Sequence, residues 1–106
     1  MTFTVAVKGY NLNSFMRLIG YKPIDVSPQG QLNCVRPLGA DYPRFHSYVK
    51  ETPKGFEFNL HLDQKKASYE GTSMHNGEYE GETVNEERRR IEYKARATDE
   101  DESDRA

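Results

Sequence analysis

Residues 2–7 alternate, with Phe3, Val5 and Val7 on one side and Thr2, Thr4 and Ala6 on the other, which predicts a short strand closed by Lys8-Gly9. Asn11, Asn13 and Ser14 then offer three helix caps. Phe15, Leu18 and Ile19 follow at helical spacing, and Gly20 supplies a stop, so a short helix is expected near 14–19. Pro23, Pro28 and Gly30 mark 21–30 as an irregular connection. A strand is expected over Gln31–Arg36, with Leu32 and Cys34 on one face, and a loop over Leu38–Pro43. The clearest strands are Arg44–Glu51 and Phe56–Asp63.

Thr52-Pro53-Lys54-Gly55 between them is a β-turn signal, with Pro and Gly where such a turn favours them. Centring the turn there sets Val49 opposite Phe58, Ser47 opposite Leu60 and Phe45 opposite Leu62. The other face then pairs Lys50 with Glu57, Tyr48 with Asn59, His46 with His61, and Arg44 with Asp63. Burial of Phe56, Phe58, Leu60 and Leu62, at about 1.5–3 kcal/mol each, selects this facing, because a one-residue slip turns all of them to water.

After Lys66 the periodicity fades. Residues 67–82 read as an irregular loop pinned by its Tyr rings, with Tyr-Glu-Gly at 69–71 and again at 79–81. Thr83-Val84-Asn85-Glu86 fits a capping box, so a helix is expected from about 84 to 97, with Val84, Ile91 and Ala95 on one side. Glu86–Arg90 and Glu92–Arg96 are i, i+4 pairs, and the run Arg88–Arg90 reads as a solvated, salt-bridged face. From Thr98 onward there is almost no apolar side chain to offset the cost of ordering backbone, so 98–106 reads as a disordered acidic tail.

The expectation is therefore one α+β domain, 1–97, followed by that tail. Its sheet is small and mainly antiparallel, with three to five strands, the short N-terminal helix on its apolar face, and the C-terminal helix against an edge or projecting away. A length of 106 residues leaves no room for two cores. The net charge of −2 is unevenly spread: the tail carries −4 and the rest of the chain +2, too little for a nucleic-acid signature on its own. Cys34 is the single cysteine, which excludes an internal disulfide and a CxxC metal motif and reads as a buried small hydrophobe. The N-terminal stretch lacks a basic region followed by a long apolar one, and no apolar run reaches the ~18 residues of a membrane span, so a cytoplasmic protein is expected.

Candidate chemistry gathers on the polar hairpin face. Arg44, His46, Tyr48, Lys50, His61 and Asp63, extended by Lys65 and Lys66, could bind a protein partner or an anionic ligand such as nucleic acid, with Tyr48 available to stack a base. A non-enzymatic binding domain is the leading expectation. The alternative is a phosphodiester hydrolase in which His46 and His61 act as acid and base while Arg44, Lys65 or Lys66 stabilises developing charge. A further variant places a divalent metal such as zinc on His46, His61 and Asp63, with His75 arriving from the loop. The bland reading of all three is a solvent-facing sheet surface.

Overall fold

A computed structural model describes residues 1–64 and 73–105, the side chains of 73–80 and 101–105 excepted. The elements run β1 (Thr2–Val5), α1 (Leu12–Leu18), β2 (Lys22–Val26), β3 (Leu32–Pro37), β4 (Arg44–Thr52), β5 (Gly55–Asp63) and α2 (Ser73–Arg105). All five strands join one antiparallel sheet in the order β1-β5-β4-β3-β2. The α+β class and both helices are as the sequence implies.

The hairpin turns where the sequence places it. β4 and β5 pair from Arg44↔Asp63 through His46↔His61 to Thr52↔Gly55. Thr52 secures the bend, its hydroxyl donating to the Gly55 carbonyl at 2.9 Å and accepting from the Lys54 amide at 3.2 Å. Gly55 is needed for a second reason: it has φ +137°, and a Cβ there would lie 2.1 Å from the Val5 carbonyl oxygen of β1.

Phe45, Ser47 and Val49 of β4 and Phe56, Phe58, Leu60 and Leu62 of β5 are buried, and so are Leu32 and Cys34 of β3 on the same face. Both helices cover that face. Phe15, Met16 and Ile19 come from α1 and its C-cap, and Val84, Ile91 and Ala95 come from α2. α1 starts two residues earlier than expected because Asn11 and Ser14 form a reciprocal capping box, and Met16, rather than the exposed Leu18, enters the core.

Three expectations need correction. Residues 22–26 are a strand rather than part of a loop; Pro23 and a register irregularity between Pro23 and Asp25 hid it, and both are tolerated because β2 is an edge. α2 is not confined to an edge: its Val84, Ile91 and Ala95 pack across the sheet, and it begins at Ser73, so Thr83 lies inside it instead of capping it. The helix also continues beyond Ala97. Thr98 is buried, its hydroxyl accepting from the Lys8 amide at 3.1 Å and donating to the Ala95 carbonyl at 2.6 Å, and Asp99 meets the Lys8 ammonium at 3.2 Å. Of the loop expected over 67–82, residues 67–72 lie outside the described residues and the remainder is helical. No described helix is long and apolar enough to cross a membrane.

Candidate functional site

With α1 and α2 on one side, the opposite side of the sheet has no described helix over it. Cross-strand pairing fixes what it presents. One row runs Thr2, Asn59, Tyr48, Asn33, Asp25; the next contains His61, His46, Val35 and Lys22; flanking rows hold Thr4, Glu57 and Lys50, and Asp63, Arg44 and Pro37. Val35 is the one buried apolar side chain of these rows. Among the described residues of these rows, cations (Arg44, Lys50, Lys22) and anions (Asp63, Glu57, Asp25) are equal in number.

Its centre is an aromatic and imidazole cluster. The His46 and His61 rings stand edge to face with centroids 5.5 Å apart. Tyr48, two residues along β4 from His46, lies 4.9 Å from that ring and 6.0 Å from His61. The strand pleat brings them together, since alternate residues share a face and directly paired residues are neighbours.

Hydrogen bonds orient His46. Its Nδ1 is 3.0 Å from Asp63 Oδ2, and its Nε2 faces Oδ1 of Asn33 on β3. Asp63 also accepts from Arg44 Nε at 3.4 Å, and the Arg44 guanidinium lies over the Tyr42 ring at 4.8 Å. The Arg44–Asp63 pair is thus one link in a short chain that ends on an imidazole. His61 has a lowered pKa: partial burial is the main cause, and the neighbouring His46 and the Met1 ammonium add to it against the opposing pull of Asp63. Its neutral form is the favoured one at neutral pH.

Arg44, His46, Tyr48, Lys50, His61 and Asp63 therefore share one face, as the sequence implies. Lys65 and Lys66 lie outside the described residues, and so does the side chain of His75. No three His, Cys, Asp or Glu among the described residues are arranged to hold a metal ion. The reason is local: both His46 nitrogens face side chains of their own, and the Asp63 carboxylate turns to His46 and Arg44. Asn33 is the participant missed in the sequence. Its signal was its place in the strand paired with β4, which becomes readable only once strand order is known.

A second polar cluster escaped the sequence entirely and lies in the helix-covered layer. Glu87 of α2 is buried, and its carboxylate accepts from the Tyr21 hydroxyl at 2.7 Å, from Arg36 at 3.2 Å and from Arg90 at 2.8 and 2.9 Å. Arg90 also donates to the Ile19 carbonyl at the end of α1, at 2.6 Å. This corrects the reading of Arg88–Arg90 as a uniformly solvated run: Arg90 bonds Glu87 rather than Glu86, while Arg88 lies 3.8 Å from Glu92. The Tyr21 phenol is pushed far above its usual range, first by burial and then by the Glu87 charge. Burial likewise pushes the Cys34 thiol up to about 12, so it is inert at neutral pH.

Compared with protein-family models, with curated proteins and with solved structures, the chain gives no match.

Proposed function

We propose that this chain is a non-enzymatic binding domain that presents the polar face of its β4–β5 hairpin to a protein partner. The carrying observation is the cluster of Tyr48, His46 and His61, with Tyr48 set between Asn33 and Asn59 in its cross-strand row, on the sheet side opposite both helices. Flat aromatic and amide groups supply contact area and hydrogen bonds at low entropic cost, and rigid ones supply the most. Here the rings brace one another, and Asp63 with Asn33 fixes His46. The balance of cations and anions among the described residues of the face favours a protein over a polyanion, because nucleic-acid binding draws much of its affinity from uncompensated positive charge.

Cross-linking from the native source, with Tyr48→Ala and Tyr93→Ala compared against the wild type, tests this reading. Tyr93 is exposed on α2, so its loss should leave the partner in place, whereas Tyr48→Ala should release it. Equal recovery with all three proteins contradicts the assignment of the face.

The Asp63–His46 contact favours a second reading, a His-dependent phosphodiester hydrolase. Neutral His61 would take a proton from a water as its oxygen bonds to phosphorus, and His46, oriented by Asp63, would give one to the leaving oxygen as its bond to phosphorus breaks. It ranks second because Arg44, the cation for the developing charge, already serves Asp63 and stacks on Tyr42. A groove of about 800 Å³ elsewhere is lined by Asn11, Ser14, Arg17, Tyr21, Lys22 and Pro23 and includes none of the hairpin residues. Turnover of a cyclic phosphodiester that disappears in His61→Ala would promote this reading; identical background rates would end it.

A further inference from the structure

The two edges of the sheet are built differently. β2 carries the features that keep an edge from pairing: Lys22, Pro23, the irregularity that follows it, and Asp25, whose carboxylate accepts from the neighbouring Val26 amide at 2.8 Å. β1 carries none of them. Its sequence is Thr-Phe-Thr-Val, without charge, proline or bulge.

The ladder gives the direction of its free groups. Met1 and Leu60 exchange both backbone hydrogen bonds, at 3.0 and 2.7 Å. In an antiparallel pair such exchanges recur at alternate residues, so Phe3 and Val5 also bond to β5, while Thr2 and Thr4 direct N–H and C=O away from the sheet. Both threonines are exposed. Phe3 stacks on Phe58 at 5.1 Å with its ring nearly parallel, yet it is only partly buried, as an aromatic at the end of an unfinished row would be. Above the edge, a groove of about 240 Å³ runs between Thr4, Val5 and Ala6 and the α2 residues Glu92, Ala95 and Arg96.

We propose that β1 is a pairing edge and that its occupant is a second copy of this chain, joined antiparallel about a twofold axis at Phe3. This register sets Thr2 opposite the partner's Thr4, so both outward-facing residues find hydrogen-bonding counterparts. It also places Phe3 beside the partner's Phe3 in a non-hydrogen-bonded pair, the closer of the two antiparallel spacings, which extends the Phe58–Phe3 stack across the join. Self-pairing is favoured over a foreign strand because the edge is its own complement. The strand is neutral, and Glu92 and Arg96 are opposite charges one helical turn apart, which a twofold sets against each other without like-charge repulsion. The polar faces of the two chains then become one continuous surface.

Sedimentation equilibrium of the intact chain from micromolar to millimolar concentration tests the proposal, and the mass should rise from one chain to two. Thr4→Pro removes an outward donor without touching the β1–β5 ladder and should hold the mass at one chain with an unchanged circular dichroism spectrum. Thr4→Lys, which places like charges close together near the axis, should do the same and guards against misfolding of the proline variant. Val26→Lys, on the opposite edge, should still dimerise. A wild-type mass that stays at one chain throughout overturns the proposal, as does a dimer that persists in both Thr4 variants or is lost only in Val26→Lys.

Discussion

Glu87 and Asp63 are each a carboxylate joined to arginine and set near tyrosine, but the sheet separates them. Glu87 lies on the helix-covered side with its side chain 3 % exposed, and Tyr21, Arg36 and Arg90 reach it from three parts of the chain. Asp63 lies on the other side at 30 % exposure and serves Arg44 and His46, its own cross-strand neighbours. Similar chemistry thus has different consequences. Removed from water, a carboxylate must be fully bonded, and losing it strands the cations around it. Where water can still reach, the same pair contributes little to folding and is left to orient a ring. The Glu87 network ties α2 to the end of α1, to Tyr21 and to β3, whereas the Asp63 cluster prepares a surface.

The largest effect should come from Glu87→Ala. Removing the shared acceptor of Tyr21, Arg36 and Arg90 should lower unfolding free energy in urea by about 3 kcal/mol, the lower end for a broken buried pair because both arginines keep partial access to water. Tyr21→Phe deletes one hydrogen bond to the same charged group and should cost about 1.5 kcal/mol. Thr98→Val tests where the ordered helix ends. It removes the contact to the Lys8 amide and should cost about 1 kcal/mol, whereas a frayed tail would register no change.

The open face should respond to pH rather than to truncation. His61 binds its proton less readily in the folded chain than in the unfolded one, whose value is near 6.5. Between the two values the unfolded state holds more protons, so this contribution is complete above pH 6.5 and is lost as the pH falls below it. His61→Asn should flatten that part of the stability profile. A slope unchanged by the substitution would place its source elsewhere.

The hairpin was legible because three independent signals coincide within 20 residues: a Pro-Gly turn, strict alternation, and a run of large apolar residues that cannot face water together. Local information was enough for the site because its two histidines are joined by that one turn. β2 was illegible for the opposite reason. As an edge strand with an irregular register and mostly exposed residues, it shows no alternation. The Glu87 network was hidden by range, since its partners lie 51 and 66 residues away at Arg36 and Tyr21. One trace was present: Glu87 falls three residues after Val84 and four before Ile91, within the apolar stripe of α2, and a charge there requires a buried partner. Nothing local indicated which partner.

Side-by-side urea unfolding of Glu87→Ala and Asp63→Asn at neutral pH bears most directly on this division between a carboxylate that holds the fold and one that dresses a surface. The expected result is a loss of about 3 kcal/mol for the first and no more than about 1 kcal/mol for the second. Equal losses, or the larger loss at Asp63, would contradict it.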